Sequence, residues 1–341
     1  MAGGGHALSR RLARLAAVAV GVGGAAAAAR TARTYAQVSP ELRNPALLRS
    51  VSIRGPRTLQ LLRRFTAAPG PVRTGVGVVG EEATSVDGAT VPLLVYEPPE
   101  RERPSGALLW LHGGGLIAGS AAVENAYCSD VAAEAGIVVV GVDYRLAPEF
   151  PFPAALEDCY AALLRLFEQA TSLGVDPDRI AVGGASAGGG LAAAVSQLAR
   201  DRGEVRPCFQ LLRYPMLDDR TGLSRLPPTR LHTWNATSNR YAWECYLGRR
   251  PRMADAPPYA AAARTTFLGD LPPAWIGVGD ADLFHAESVR YAERLAAAQV
   301  PVELHVEPGM YHGADGYVAH APSMVAFRER ELAALRAAVR G

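Results

Sequence analysis

The chain contains no lysine: all 35 of its basic residues are arginine, set against 33 acidic ones for a formal net charge of +2. That absence excludes a lysine nucleophile or Schiff base. The near balance of charge excludes the basic footprint of a nucleic-acid binder. The all-arginine usage reads as a compositional preference more than as chemistry. Cysteine is also scarce. Cys128, Cys159, Cys208 and Cys245 lie far apart, with no CxxC pair and no Cys/His spacing that would hold zinc. Cys159 and Cys208 fall in apolar patterns, where a buried free thiol is the expectation. No metal and no cofactor is expected. Aromatic residues make up only 7%, but an apolar content of 49% is enough to fill the core of one large domain.

Acidic residues are missing from the start: none precedes Glu41. Arg10, Arg11 and Arg14 lead into the uncharged stretch 15–29, and Ser9-Arg10-Arg11 has a faint twin-arginine look. Residues 1–35 thus form an Ala/Gly/Arg-rich segment with the shape of a secretory signal, too short and too rich in small residues for a transmembrane helix. An Ala-rich helix lying on the protein body or on a membrane surface is the other reading. The expected location is the cytoplasm, with export or membrane association through this segment as the alternative.

Residues 36–70 carry Leu47, Leu48, Leu61 and Leu62 on apolar faces, punctuated by Pro40, Pro45 and Pro56, and predict N-terminal cap helices over 41–66. From residue 71 the pattern changes. Runs 76–79 and 91–96 read as strands joined by a turn at Asp87-Gly88. Continuous apolar runs then follow at 107–111, 137–142, 180–183, 209–213, 274–279 and 302–306. Helical stretches alternate with them at 125–135, 154–169, 191–200, 286–298 and 323–339. That alternation predicts an α/β fold with a mostly parallel sheet covered on both faces. One interval breaks the rhythm, at about 215–266, with Pro227-Pro228, Pro257-Pro258 and the aromatics Trp234, Tyr241, Trp243, Tyr246 and Tyr259. It reads as a cap insertion over the C-terminal strand ends, most of its aromatics forming a satellite core.

The chemistry centres on Gly184-Ala185-Ser186-Ala187-Gly188, between the apolar run ending at Gly183 and an Ala-rich helix. A strand, a Gly-x-Ser-x-Gly corner and a helix are what a nucleophile elbow requires, with small residues on either side of Ser186. His112-Gly113-Gly114-Gly115, directly after run 107–111, is the candidate oxyanion loop. The N–H groups of Gly114 and Gly115, joined by that of Ala187, would bind the developing oxyanion, while His112 and Gly113 support the loop. Among seven histidines, the hydrolase order Ser…Asp…His selects His312, in the loop after run 302–306. His232 falls in the cap, His305 inside a strand, and His6 in the tail, whereas His285 and His320 read as exposed. Asp280 and Asp282 both follow run 274–279, and either satisfies the order.

These motifs, together with Asp143-Tyr144-Arg145-Leu146-Ala147-Pro148-Glu149, Phe152-Pro153-Ala154 and Trp243-x-x-Tyr246-Leu247-Gly248, resemble the bacterial hormone-sensitive-lipase-like esterases of the α/β-hydrolase fold. The resemblance runs from about residue 75 to the C-terminus. It implies an eight-stranded, mostly parallel sheet flanked by helices, with a cap from the N-terminal region and the insertion after the sixth strand. It also implies Asp282 as the triad acid, since Asp282-Leu283-Phe284-His285-Ala286 matches the family's Asp-Pro-Leu-x-Asp. The chain departs from that pattern at Leu283 and Ala286, at Ala185 before the serine, and at Ala314 after His312-Gly313. Asp143 and Glu149 would be buried braces for the oxyanion loop and its neighbouring turns.

The expected function is a serine carboxylesterase for short to medium acyl chains, with a small-molecule or lipid ester as substrate and no nucleic-acid partner. An amidase or lactonase with the same triad is one alternative, and a non-catalytic small-molecule binder on the same fold is another. The oligomeric state, monomer or homodimer, is open at this point.

Overall fold

Strand β3 (Ser105–Leu111) is buried along its whole length, and its alternate side chains feed two different cores. Ala107, Leu109 and Leu111 pack into one, Leu108 and Trp110 into the other. Its neighbours β4 (Val138–Val142) and β5 (Val175–Ala185) divide in the same way, with Val138, Val140, Ile180 and Val182 on one side and Val139 and Ala181 on the other. A strand covered on both faces has no solvent side, so its sequence is a continuous apolar run rather than an alternation. The structure, a computed structural model, describes residues 32, 35–45, 47, 52–223 and 233–340. The signal-like reading of residues 1–35 therefore lies almost wholly outside the described residues, as do His6 and His232.

Among the described residues the remaining strands are β1 (Gly77–Thr84), β2 (Thr90–Glu97), β6 (Phe209–Arg213), β7 (Ala274–Gly279) and β8 (Val302–Glu307). They form one eight-stranded sheet in the order β1-β2-β4-β3-β5-β6-β7-β8. Strand β2 runs antiparallel to β1 and β4, and every other pairing is parallel. Among the described residues, the α-helices with both ends described are, in chain order, α1 (Pro56–Phe65), α2 (Asn125–Ala135), α3 (Ala154–Leu173), α4 (Ala187–Arg202), α5 (Ala236–Leu247), α6 (His285–Ala297), the one-turn α7 (Ala314–Tyr317) and α8 (Pro322–Val339). Helices α3 and α4 cover one face of the sheet, α2 and α8 the other. The mostly parallel sheet covered on both faces is the one expected from the alternation of runs, and its eight strands in the α/β-hydrolase arrangement are what the resemblance implied. Among the described residues no helix is long and apolar enough to cross a membrane.

Two elements differ from expectation. Helix α4 starts at Ala187, not near residue 191, so Gly188-Gly189-Gly190 is helical. Glycine is a poor helix former, but the helix is buried from Ala187 to Ala199 and needs small residues to approach the sheet. Of the helical stretch foreseen over 41–66, the described residues show a 3-10 turn (Pro40–Leu42), non-helical backbone at 52–55 and then α1, with Pro56 in its first turn.

Helix α5 lies in the interval between β6 and β7 and is capped by Asn235, whose side chain accepts from the N–H groups of Thr237 and Ser238 at 3.1 Å each. The N–H of Ile53 donates to Ser238 Oγ at 2.9 Å, joining the residues before α1 to this insertion. Trp234, Trp243 and Tyr246 pack into the main core that covers the sheet, not into a satellite cluster, because α5 sits directly on the sheet's loops.

Asp143 and Glu149 are exposed rather than buried. The buried carboxylate nearby is Asp158, which the motif reading did not single out. Asp158 is fully buried on α3 and receives the Nε and Nη2 of Arg145 at 2.9 and 2.7 Å and the Arg145 N–H at 2.9 Å. The same guanidinium reaches Asp87 in the β1–β2 turn at 2.7 Å, so one side chain joins the hairpin to α3. Removing one partner of a buried pair strands the other charge. Asp158→Ala is therefore expected to cost about 3 kcal/mol or more by chemical denaturation, and Asp87→Ala, at the exposed end of the same arginine, clearly less.

Candidate active site

The site begins with a packing constraint at the end of β5. A Cβ on Gly188 would stand 1.9 Å from the Leu111 carbonyl oxygen, and one on Gly184 would stand 2.4 Å from the Gly188 carbonyl carbon. Only glycine permits the first turn of α4 to press this closely onto β3 and β5. Between these glycines Ser186 is held at φ 57°, ψ −117°, a conformation rare for a residue with a side chain. Its N–H donates to the Arg213 carbonyl at 2.9 Å, and its own carbonyl accepts from Gly190 and Met216 at 3.0 and 2.9 Å. Hydrogen bonds from two neighbouring segments thus hold the strained corner.

Ser186 Oγ lies 2.9 Å from His312 Nε2, and His312 Nδ1 lies 2.8 Å from Asp282 Oδ2. A carboxylate can only accept, so Nδ1 carries the proton and Nε2 accepts from the serine hydroxyl. The Asp282 side chain is fully buried, and its second oxygen accepts from the Phe284 N–H at 2.8 Å. Asp280, which the hydrolase order left open, is exposed and instead accepts from the Gly309 N–H at 2.6 Å, fixing the turn before His312. The structure brings Ser186, Asp282 and His312 together and leaves Asp280 outside the group.

The loop His112-Gly113-Gly114-Gly115 lies beside Ser186. A Cβ on Gly113 would meet Ser186 Cβ at 3.6 Å. Gly114 and Gly115 have φ of +116° and +65°, and among the described residues neither N–H has a hydrogen-bond acceptor. Trp234 closes the far side: a Cβ on Gly115 would come within 2.3 Å of its indole ring. His112 is buried and stacks on Tyr144 at 4.1 Å between ring centroids. Its Nδ1 lies 2.7 Å from the Gly113 carbonyl, and Tyr144 Oη donates to the His112 carbonyl at 2.7 Å.

Several contacts around His312 were not legible beforehand. Tyr214 and Phe284 meet its imidazole edge-on, at 4.8 and 5.1 Å between centroids. The Thr233 hydroxyl donates to the His312 carbonyl. Behind Tyr214 lies a buried ion cluster. Arg213 bonds Glu331 of α8 at 2.9 and 2.5 Å and Asp315 of α7 at 3.1 Å, while Tyr214 Oη donates to Asp315 at 2.9 Å. Burial alone would lower the Arg213 pKa, but Glu331, Tyr127 and Asp315 outweigh it and raise it well above its ordinary value. Burial, then Asp315, likewise pushes the Tyr214 hydroxyl up. The signal that was present was Asp315, three residues past His312, but its partner lies 102 residues earlier.

The other histidines stand apart. His305 in β8 is half-buried and bonds Glu307 at 2.9 Å, and His320 is exposed. His285 is half-buried at the start of α6, not exposed, because that turn packs against the Asp282 loop. Among the described residues no three His, Cys, Asp or Glu side chains come together as metal ligands.

Burial holds the His112 imidazole neutral, pushing its pKa down to about 4 although the Gly113 carbonyl and Asp143 pull the other way. The unfolded chain takes up this proton near pH 6.5. Folding stability from this residue is therefore full above pH 6.5 and falls as pH drops toward 4. Denaturation of the wild type and His112→Gln across that range is expected to give curves that converge as pH falls. Parallel curves would count against a neutral buried His112.

A family model for the α/β hydrolase fold matches residues 108–315. The chain is 39% identical over 269 residues to the esterase LipI of Mycobacterium tuberculosis, covering 75% of this chain and 82% of that protein. It is 38% identical over 270 residues to the carboxylesterase NlhH of the same organism, covering 76% and 83%. A solved bacterial heroin esterase superposes with a TM-score of 0.82 at 38% identity, covering 90% of this chain and all of that one. A carboxylesterase-type activity follows from these likenesses, and the chain belongs to the hormone-sensitive-lipase-like esterases of the α/β-hydrolase fold.

Proposed function

We propose that ester hydrolysis here runs through an acyl-enzyme on Ser186. The observation that carries this reading is the unbroken chain from Ser186 Oγ to His312 Nε2 at 2.9 Å and from His312 Nδ1 to Asp282 at 2.8 Å. Ser186 Oγ attacks the ester carbonyl as its proton passes to His312 Nε2. Asp282 keeps the imidazole in the reactive tautomer and stabilises the imidazolium. The tetrahedral oxyanion takes hydrogen bonds from the N–H groups of Gly114, Gly115 and Ala187, the last at the N-terminus of α4 where negative charge is favoured. His312 then protonates the departing alkoxide. It next deprotonates a water that attacks the acyl carbon, and the second collapse returns the proton to Ser186 and frees the acid.

The substrate is a small-molecule ester with a short to medium acyl chain. Trp234 standing against Gly115 supports this, because it limits the room beside the oxyanion loop. Residues 36–70 and the insertion at about 215–266 act as the cap that walls this side.

Hydrolysis of a p-nitrophenyl ester series tests both points. Ser186→Ala is expected to lower kcat by on the order of a million-fold and Asp282→Asn by about ten-thousand-fold, with Asp280→Asn retaining most activity. Full activity in Asp282→Asn with a dead Asp280→Asn would move the acid to Asp280. Turnover that rises steadily with chain length would contradict the pocket assignment. A wild type that cleaves the matched amide as fast as the ester would make it an amidase.

A further inference from the structure

The turn that carries the oxyanion donors does not hold its shape by itself. Gly114 accepts from the N–H groups of Ile117 and Ala118 at 3.2 and 3.1 Å, winding residues 114–118 into a tight loop. That winding forces Leu116, a buried non-glycine residue, to φ +66°, a strained conformation that survives only where its surroundings over-determine it. Two external contacts do so. The Ala147 N–H donates to the Leu116 carbonyl at 2.9 Å. Arg63, projecting from α1, donates from Nε to the Ile117 carbonyl at 2.8 Å and from Nη2 to the Ala147 carbonyl at 3.0 Å. The same guanidinium is oriented by a two-point contact with Glu149, at 2.8 and 2.7 Å. One planar fork therefore grips both segments that flank the strained turn, and it comes from an N-terminal helix remote from the catalytic motifs in sequence.

We infer that Arg63 is a positioning residue for the oxyanion loop, clamping the Gly114–Leu116 turn against the Ala147 loop so that its N–H groups stay aimed at the reacting oxygen. The inference rests on the catalytic reading above and adds to it a requirement for docked α1. Oxyanion donors act on charge that develops only in the transition state, so a relaxed turn lowers kcat and leaves substrate binding nearly intact. Lysine cannot replace the clamp, because an ammonium lacks the planar fork that spans two carbonyls and a carboxylate.

The experiment is steady-state hydrolysis of a short p-nitrophenyl ester by wild type, Arg63→Ala, Arg63→Lys and Arg64→Ala, with thermal melts of each. Ser186 labelling by a fluorophosphonate is read on the wild type. Arg63→Ala is expected to lose roughly 10- to 100-fold in kcat with KM within about threefold, while the control on the same helix, Arg64→Ala, stays at wild-type rate. An open cavity of about 540 Å³ beside Arg63, lined also by Thr66, Ser120 and Phe150, admits a small ion. Guanidinium at a sub-denaturing concentration is therefore expected to restore part of the lost kcat in Arg63→Ala and none in wild type. A merely structural arginine would lower the melting temperature without this rescue. If Arg63→Ala does not fold, Arg63→Lys decides, with a kcat loss of about tenfold expected. Wild-type kcat in a folded Arg63 variant, or a loss confined to KM, overturns the inference. A wild type that is labelled and turns over while Arg63→Ala keeps its rate sinks this inference alone. A wild type that is neither labelled nor active sinks the catalytic reading and this inference with it.

Discussion

The contact between the first turn of α4 and the end of β3 is the constraint on which the rest of the site depends. Leu111 pairs with Gly184 across the β3–β5 register, and the Leu111 carbonyl lies where any side chain on Gly188 would collide. Because the backbones meet there, the loop leaving β3 and the corner leaving β5 emerge side by side. Ser186 and the glycine loop after His112 are neighbours for that reason, although more than seventy positions separate them in the chain. The same contact sets Ala187 as the first helical residue, so the helix N-terminus points into the site.

A second pairing supplies the other half. Gly279 lies opposite Glu307 in the β7–β8 register, which brings the loop bearing Asp282 against the loop bearing His312. Two parallel strands that end at the same level deliver a carboxylate and an imidazole from loops 30 residues apart. This is the ligand-binding logic of an open α/β sheet, whose functional residues gather beyond the strand C-termini. The His312 loop is then held from below by the Arg213, Asp315 and Glu331 cluster and from the side by Thr233. Buried charges of this kind contribute little net stability, but they tolerate few alternative arrangements. Their place under the His312 loop suits a demand for one geometry rather than for tight folding.

The chain's exclusive use of arginine has a structural counterpart. Arg63, Arg145 and Arg213 each bond two or three groups at once through a planar fork: a turn and a carboxylate, a hairpin and a helix, two helices beneath the site. Each joins elements that are distant in sequence. The motif residues Asp143 and Glu149 do less than their setting suggested. Asp143 is exposed and accepts from the Ala121 N–H at 3.1 Å, and Glu149 orients Arg63.

The parallel strands, the flanking helices and Ser186, His312 and the glycine loop were legible in the sequence because each is a local matter. A strand buried on both faces must be a continuous apolar run, and a strained strand-to-helix corner must be lined by residues without bulk. The choice between Asp280 and Asp282 was not local, since both follow the same strand. In the fold Asp282 faces the His312 imidazole while Asp280 accepts from the Gly309 N–H, and along the chain only a resemblance could favour one. Asp158, Tyr214, the Arg213 cluster and the grip of Arg63 were out of reach for the same reason. Each is defined by a partner from 13 to more than a hundred residues away, and no periodicity or spacing along the chain encodes such a meeting. The sequence by itself determined which segments would be strands, helices and reactive corners. Only the tertiary structure decided which side chains face one another, because strand order and helix docking, not chain proximity, set those distances.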